Sequence, residues 1–409
     1  MAGFVEELVN RENALERVAA ALSFPWELSE DLLPLQKAWG RRLSRGLFAR
    51  EPFPPFSRSL RDGYALSAED VVGATSTSPV FLTETSEVPM GSLPGFSLGP
   101  QEAALIHTGG ALPVGADAVV MLEDSDRAGD LVEIRKAVQA GENIFPQGEE
   151  LSKGDLVIPR GTFLDYRTIG FLAALGITEV PCLSLTVGLI STGDEVIPAE
   201  RGDLLPGCIR DANSWFLRAY LKGQGFTPLF FGIVGDDQQK LHSVVHEALR
   251  SCDVVVLSGG SSVSVRDHVL AITESLSTPG LIIRGLNLSP GKPTLLGGSL
   301  ELQRVLIGLP GHPLSCAVVA ITVLKPLLMK LIGAEEEPFD EAFFPVGADV
   351  FGKAGIEEYL PARLKEGHAF PLPAKSGFVG ALVSATHLIR LPITTETVRK
   401  GEKVSLWKL

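Results

Sequence analysis

The sequence predicts a multidomain α/β plus β protein, with a central parallel α/β domain between a β-rich front half and a small C-terminal β domain. Between about residues 181 and 333, apolar strand patterns alternate with amphipathic helix patterns, which is typical of a parallel sheet covered by helices on both faces. Residues 51–140 and 334–409 instead carry short apolar runs between turn-rich segments, which favour β structure. The 409 residues suffice for two to four domains.

The front half is predicted as a discontinuous N-terminal domain, residues 1–50 and 141–180, into which a β-rich domain of residues 51–140 is inserted. Apolar residues at three- and four-residue spacing indicate its helices, and short apolar runs between turns indicate its strands. The predicted elements are helices at 4–22, 34–45 and 166–175 and strands at 118–122 and 131–134.

The α/β domain is predicted over residues 181–333 and the C-terminal β domain over residues 334–409. The predicted strands are 185–190, 229–234, 254–257, 281–288 and 305–307, and the predicted helices are 213–222, 237–250, 267–276 and 313–332. Ligands of open parallel sheets bind at the carboxyl ends of the strands, where backbone N–H groups face anions. The loops that follow these strands are therefore the candidate site.

Charge and cysteine usage exclude several function classes. The net charge is −13 and no run of Lys and Arg is present, which disfavours nucleic acid and anionic membrane surfaces as partners. The four cysteines form no CxxC pair, so we expect reduced thiols in a cytoplasmic protein. The longest apolar run, 314–329, contains Lys325 and Pro326 and is predicted not to cross a membrane.

Three glycine-rich loops follow predicted strands: SGGSS at 258–262, SPGKP at 289–293 and GLPGHP at 308–313. Glycine lets the backbone approach a phosphate, and serine or lysine adds a donor. A packing turn fits each loop equally well when it is taken alone. A P-loop is excluded, because Gly285 and Gly291 have five residues between them and Pro293 stands where a hydroxyl should bind magnesium.

Carboxylates also cluster at the strand ends. Asp194 and Glu195 follow the first strand, and with Asp236 they form the candidate magnesium ligands. Helix capping is the simpler interpretation of Asp236, as it is of Asp211 and Asp237. His242 and His246 have a spacing that can bind zinc, but no HExxH glutamate accompanies them. Together with the loops, these residues indicate a phosphorylated ligand.

The loops and several further segments together resemble the MoeA family, the molybdopterin molybdenumtransferases, over almost the whole chain. The segments that carry the resemblance are RDGYALSAED, IHTGGALPVGADAVVMLED, GENIFPQGEELSKGD, IGFLAALGITEV, LISTGDEV, IRDANSWFL, VVLSGGSSVSVRDHV, SPGKPTLLG, GLPGHPLS and KSGFVGALVSATHLIRLP. The resemblance implies an elongated, four-domain homodimer whose active site lies between subunits. It also implies molybdate insertion into adenylylated molybdopterin, assisted by Mg²⁺, with release of AMP.

The resemblance assigns site residues as well. The implied catalytic positions are Asp62, Thr108, Glu195, Asp267 and Lys292. The implied substrate-binding positions are Ser258, Gly259, Gly260, Ser262, Gly291, Pro293, Gly311, Ser315, Arg363 and Ser376. This chain departs from the family pattern at Glu150, where aspartate is frequent, at Ser264, which replaces a glycine, at Ser289, which replaces a lysine, and at His312, which replaces an asparagine.

The resemblance implies two kinds of partner: small-molecule substrates, and proteins of the same pathway, namely the molybdopterin adenylyltransferase and acceptor apoenzymes. Two alternatives remain open. The first is a non-catalytic pterin-binding scaffold of the same fold, and the second is a tungstate-specific paralogue, because the two oxyanions are nearly isosteric.

Overall fold

The computed structural model describes residues 8–259, 263–334 and 341–409, with side chains from residue 267 onward in the helix Val263–Ser275. Gly260 and Ser262 of the predicted site lie outside the described residues. The chain divides into two compact units, which are Gly46–Ile158 and the remainder on either side of it. The predicted four-domain boundaries stay a prediction.

The unit Gly46–Ile158 is β-rich, which confirms the character predicted for this part of the chain. Its six-stranded sheet has the order Ala118–Met121, Gly63–Leu66, Glu102–Ile106, Val80–Glu87, Leu131–Ile134, Ser125–Ala128. Two small antiparallel pairs join Arg58–Ser59 to Ile144–Phe145 and Leu47–Phe48 to Leu156–Ile158. Short 3₁₀ helices lie at Ala68–Val71 and Leu122–Asp124. Buried residues on its strands, such as Leu82, Val120 and Val132, form its hydrophobic core.

The α/β domain contains a six-stranded sheet in the order Thr227–Val234, Thr186–Thr192, Val254–Ser258, Arg304–Leu309, Leu295–Ser299, Pro279–Arg284. The first four strands are parallel, as predicted. The last two are antiparallel to their neighbours, so the sheet is mixed. The sequence analysis missed the strand Leu295–Ser299 altogether. Only four residues separate it from Arg304, and a parallel connection needs a crossover of a dozen or more residues.

Helices cover both faces of this sheet. Along the strand Val254–Ser258, Val254 and Val256 pack with Leu217, whereas Val255 and Leu257 pack with Leu241 on the opposite face. The first face receives the helices Arg11–Ala21, Asn213–Gly223 and Pro313–Ile332, and the second receives Gln238–Ser251 and Val263–Ser275. This two-sided burial explains why the central strands are almost continuously apolar.

The helix Pro313–Ile332 has the bounds that the sequence predicts, with a π-helical segment at Ala320–Leu324 between the α-helical stretches Pro313–Val319 and Lys325–Ile332. Pro326 has no N–H to donate within the helix, which is one cause of such irregular turns. In the described parts of the chain, this helix is the one long and apolar enough to cross a membrane, and 83% of its most apolar window is buried inside the protein.

Within the described residues, the front helices are shorter than predicted, and residues 4–7 of the first predicted helix lie outside the described residues. The first begins at Arg11, where Asn10 caps it by accepting the N–H of Asn13, and ends at Ala21. The second covers only Leu35–Ala38 instead of 34–45. Gly40 lies in the left-handed region with φ +77°, so the helix cannot continue through it. The strand Glu30–Pro34 precedes this helix and pairs with Glu179–Leu183.

The helix predicted at 166–175 is confirmed as Tyr166–Ala174, and Gly176 follows it with φ +69°. The predicted C-terminal β domain is also confirmed as β structure. Its main sheet contains Leu288–Ser289, Glu357–Lys365, His387–Leu391, Lys403–Lys408 and Glu341–Pro345, with His368–Pro371 beside the second of these. Val350–Phe351 pairs with Thr397–Val398, and a short helix covers Gly380–Ser384. The SPGKP loop thus supplies a strand to this sheet through Leu288–Ser289.

Candidate active site at the strand ends

The parallel strands end in register, and this brings three separate loops together. Ser191 is paired with Ser258, and Ser258 is paired with Leu309. The segments after these residues are STGDE, SGGSS and GLPGHP, so the candidate loops leave the sheet at the same edge. The neighbouring pair Val196–Ile197 and Ile209–Arg210 extends this edge.

A cavity of about 150 Å³ lies at this edge and is called the strand-end cavity. Four of the predicted site residues line it: Glu195, Ser258, Gly259 and Gly311. The other lining residues are Ser191, Thr192, Val196, Ile209, Arg210, Asp211, Ala212, Asn213, His312 and Pro313. The three loops therefore form one concave site, as the sequence analysis expects for a phosphorylated ligand.

An adjoining cavity of about 280 Å³ shares Thr192, Gly259, Gly311 and His312 with the strand-end cavity. Pro293 of the SPGKP loop also lines it. The two cavities join loops from four segments of the sequence, and an elongated ligand fits such an arrangement better than a single small ion does.

Gly259 cannot carry a side chain without rearranging this site. Its φ is +140°, and a Cβ built there lies 2.2 Å from Thr192 Oγ1 and 2.3 Å from the Thr192 carbonyl oxygen. Thr192 is 2% exposed, and its Oγ1 has no hydrogen-bond partner among the described residues. A buried hydroxyl without a partner is uncommon, and here it lines both cavities. Thr192 is not among the residues predicted from the sequence, because a threonine in this loop carries no feature that marks it as a binding residue.

Asp211 pins the strand end to the helix Asn213–Gly223. Its Oδ2 accepts the Ser191 hydroxyl at 2.8 Å, and its Oδ1 accepts the Ser214 backbone N–H at 3.0 Å. The carboxylate is buried and both oxygens are engaged, so the capping interpretation of Asp211 is confirmed. Asp237 is also confirmed as a cap, since it accepts the N–H groups of Gln239 and Lys240. The Lys240 N–H is the main reason that the pKa of Asp237 is lowered.

The GLPGHP loop is held from two sides. Asn213 Nδ2 donates to the Gly311 carbonyl at 2.9 Å, and the Leu314 N–H donates to the Ser376 carbonyl at 3.0 Å. Asn213 is not among the predicted site residues, although it lies in the segment IRDANSWFL. Ser376 contacts this loop through its backbone, which links the C-terminal tail to the candidate site.

The SPGKP loop folds tightly on itself. The Leu286 N–H donates to the Lys292 carbonyl at 3.0 Å, and the Thr294 hydroxyl donates to the Gly291 carbonyl at 2.7 Å. Gly291 has φ +144°, and a Cβ there lies 2.7 Å from Val319 Cγ2, so glycine at this position serves packing. Lys292 itself is exposed. Gly291 and Lys292 do not line either cavity within the described residues.

Ser315, Asp267 and Arg363 are predicted site residues that do not line the two cavities. Ser315 is buried in the first turn of the helix that begins at Pro313. Asp267 is exposed on the helix Val263–Ser275. Arg363 donates from Nε and Nη2 to the Ser384 carbonyl at 3.1 and 2.9 Å, which orients its guanidinium. Substrate contacts for these residues stay predictions.

The carboxylates at the strand ends could hold magnesium only if a bound substrate supplied further oxygen ligands. Asp194 Oδ1 accepts the Asp236 backbone N–H at 2.9 Å, and Glu195 lines the strand-end cavity. In the described parts of the chain, no group of three His, Cys, Asp or Glu side chains could hold a metal ion. Magnesium usually takes one or two carboxylates and completes its shell with substrate phosphates and water. Asp194 and Glu195 fit that arrangement, with Asp236 beside them, and the cavity leaves room for the phosphates.

The histidine pair on the helix Gln238–Ser251 offers no such site. The Nε2 atoms of His242 and His246 face each other at 3.1 Å. Burial and the neighbouring His242 lower the pKa of His246. Among the described side chains, no third His, Cys, Asp or Glu joins the pair in a group that could hold a metal ion.

The front unit holds a separate cluster around Asp62. Its Oδ1 accepts the Thr108 N–H at 2.7 Å, so two predicted catalytic residues 46 positions apart are in contact. That hydrogen bond is the main reason that the pKa of Asp62 is lowered. His107 lies 3.6 Å from Asp62 and 3.6 Å from Glu87. The next residue, Gly63, has no room for a side chain, because a Cβ there would lie 1.9 Å from the Val120 carbonyl oxygen.

Three family models match successive parts of the chain. Residues 9–176 match the MoeA N-terminal region, domains I and II. Residues 188–330 match the "Probable molybdopterin binding domain", and residues 344–409 match the MoeA C-terminal region, domain IV. These matches include every candidate residue discussed above.

Relatives are similar over nearly the whole length. A molybdopterin molybdenumtransferase of a Nostoc species is 34% identical over 389 residues, which cover 93% of this chain and 88% of the relative. The molybdopterin molybdenumtransferase of Bacillus subtilis is 29% identical over 402 residues, or 96% of this chain and 92% of the relative. A crystal structure of a molybdopterin biosynthesis MoeA protein from Pyrococcus horikoshii shares 27% identity with a TM-score of 0.83, and covers 98% of this chain and 100% of that one.

Proposed function

The chain belongs to the MoeA family, and from that premise we propose that it inserts molybdate into adenylylated molybdopterin and releases AMP. As a family member it is a transferase of molybdenum cofactor biosynthesis. The observation that carries the finer proposal is the strand-end cavity, where the STGDE loop, Ser258 and Gly259, and the GLPGHP loop line one concave space. Such a space fits a ligand with phosphate groups along its length.

The anionic parts of the substrates need local positive charge and donors, because the protein as a whole carries a net charge of −13. In the proposed site, Lys292, Ser315 and Arg363 hold the tetrahedral oxyanion through charge-assisted hydrogen bonds. The backbone of Gly259 and Gly311 approaches the pterin phosphate, while Ser258 and the Thr192 hydroxyl, which has no partner among the described residues, offer further donors. Binding both reactants to one protein supplies proximity, which is a large part of the catalysis expected here.

We propose Glu195 and Asp194, with Asp236 beside them, as the residues that hold Mg²⁺ together with oxygens of the phosphoanhydride. When bound there, the ion neutralises charge on the phosphate and improves AMP as a leaving group. Asp194 and Glu195 are adjacent in the STGDE loop but line two neighbouring cavities, so the ion would lie where these cavities adjoin. Asp62, Thr108 and Asp267 are proposed as further catalytic residues on the strength of the family match.

The proposal is tested by incubating the protein with adenylylated molybdopterin, Mg²⁺ and either molybdate or tungstate, and by measuring AMP and metal incorporation. Molybdate-dependent AMP release is the expected result. Pterin binding without AMP release would instead support the scaffold alternative. Release with tungstate alone would identify a tungstate-specific paralogue, and no binding of the pterin at all would overturn the proposal.

We also expect a homodimer in which each active site takes residues from both subunits, because the family match covers all parts that build such a site. Sedimentation at micromolar concentration should give twice the mass of one chain. Mixing inactive Asp62→Ala and Lys292→Ala subunits should then restore part of the activity, since a mixed dimer contains one intact site.

The matched control for this mixing experiment is a chain that carries both Asp62→Ala and Lys292→Ala, taken through the same subunit-exchange procedure. It carries the same substitutions but offers no intact site. If verified subunit exchange restores nothing in the mixed sample, the two residues serve the same subunit's site.

The proposed reaction also requires an adenylyltransferase that supplies the substrate and an acceptor apoenzyme that takes the product.

A further inference from the structure

A cavity of about 480 Å³ adjoins the strand-end cavity and is called the aromatic cavity. The two share Val196 and Asp211 in their walls. Along the STGDE loop, Asp194 lines the aromatic cavity whereas Glu195 lines the strand-end cavity. A ligand that reaches past this loop therefore has a second space to enter.

A stack of two aromatic rings and one guanidinium forms a wall of the aromatic cavity. Arg218 lies 4.2 Å from the Trp215 ring centroid and 5.0 Å from that of Phe230. The helix Asn213–Gly223 places Trp215 and Arg218 three residues apart on one face, and the strand Thr227–Val234 supplies Phe230. Trp215 is 48% exposed and Phe230 is 38% exposed, so apolar ring surface faces the cavity's open side.

The stack also carries unused donors. Among the described residues, Arg218 makes one side-chain hydrogen bond, from Nε to the Ser214 carbonyl at 3.3 Å, which leaves its terminal N–H groups available. Ser214 is 1% exposed, lines the cavity, and its Oγ has no partner in the described parts of the chain. A buried hydroxyl in that position is costly unless something in the cavity bonds to it.

The charges in this cavity select against an anion. Asp194, Glu200 and Asp211 line it beside the single guanidinium of Arg218. Asp194 and Asp211 already accept backbone N–H groups, whereas the Glu200 side chain makes no hydrogen bond or ion pair with the described residues. A carboxylate in that position suits a group that donates N–H bonds. The cavity thus offers a stacking surface, donors for ring nitrogens or carbonyls, and an acceptor for an amine.

We propose that the aromatic cavity binds a planar nitrogen heterocycle with an exocyclic amino group. The ring stacks against Trp215 and Arg218, its amino group donates to Glu200, and the Ser214 hydroxyl bonds to a ring heteroatom. The attached phosphate extends past Val196 and Asp211 into the strand-end cavity. This inference deepens the proposed function, because adenylylated molybdopterin carries two rings of this class, adenine and pterin.

The experiment titrates the full-length protein with uncharged adenosine and, separately, with 6-hydroxymethylpterin, by calorimetry and tryptophan fluorescence. Loss of a stacking ring typically weakens binding on the order of tenfold, so Trp215→Ala should do so while Trp215→Phe stays within about threefold. Glu200→Gln should weaken the same probe. The fluorescence change should vanish in Trp215→Phe and persist in the control Trp39→Phe, whose ring is exposed outside this cavity.

Binding of adenosine alone or of the pterin alone supports the proposal and identifies which ring occupies the cavity. No saturable binding of either probe would overturn it, as would wild-type affinity in Trp215→Ala with a native circular dichroism spectrum. The AMP assay separates this result from the proposed reaction. If the wild type releases AMP while Trp215→Ala keeps full affinity, only the ring site is wrong. If Trp215→Ala loses affinity but the wild type releases no AMP, only the reaction is wrong.

Discussion

Glu195→Gln is expected to slow molybdate-dependent AMP release by about 10²–10³-fold, the usual cost of removing one electrostatic contact made at the reacting group. Glu195 is exposed at the mouth of the strand-end cavity, where the phosphoanhydride is proposed to lie. The substitution keeps shape and removes the charge that a metal ion requires. Pterin affinity should change little, because the ring and phosphate contacts come from other residues.

Single-turnover AMP release and pterin binding, measured on the same samples, check this expectation. Glu247→Gln is the matched control, because it makes the same change at an exposed glutamate on the helix Gln238–Ser251, away from both cavities. Turnover of Glu195→Gln within about threefold of the wild type would mean that Glu195 only shapes the loop. A loss of pterin binding as large as the loss of rate would place Glu195 in substrate binding instead.

Lys292→Ala is expected to abolish nearly all molybdate-dependent turnover, because it removes the charge that remains on the SPGKP loop. The resemblance gives the family loop two lysines, and Ser289 stands in this chain in place of the first of them. Hydrogen bonds to charged groups contribute about 1.5–3 kcal/mol against roughly 1 kcal/mol for neutral ones, so the serine costs on the order of tenfold in oxyanion affinity. Ser289→Lys should accordingly lower the molybdate concentration needed for half-maximal AMP release.

Initial rates across a molybdate series test both variants, with Lys353→Ala as a control at an exposed lysine of the C-terminal domain. Ser289 lies in the two-residue strand Leu288–Ser289 and pairs with Glu358, so thermal unfolding of Ser289→Lys must be compared with the wild type. An unchanged half-maximal concentration with a severe Lys292→Ala defect means that another cation, such as Arg363, already fills the role. A harmless Lys292→Ala would show that the oxyanion does not bind at this loop.

The sequence by itself determined the central architecture, because strands buried on two faces are continuously apolar and the helices that cover them show apolar residues at helical spacing. Residues 254–257 read as a continuous apolar strand, and that strand is buried on both sides. Helix ends could also be predicted from the sequence where a capping side chain or a left-handed glycine fixes them, as at Asp237 and Gly176. The loops at the strand ends followed from topology, since parallel strands in register deliver their carboxyl ends to one edge.

The tertiary structure alone decided which side chains meet there. Thr192 and Ser214 are ordinary hydroxyl residues in the sequence, and only the packing of distant segments buries their oxygens with no hydrogen-bond partner among the described residues. The contact of Arg218 with Phe230 depends on a helix meeting a strand, which no local spacing encodes. The strand Leu295–Ser299, which runs antiparallel to both of its neighbours, was likewise not predicted, because periodicity indicates which residues are buried and says nothing about which strand lies beside them.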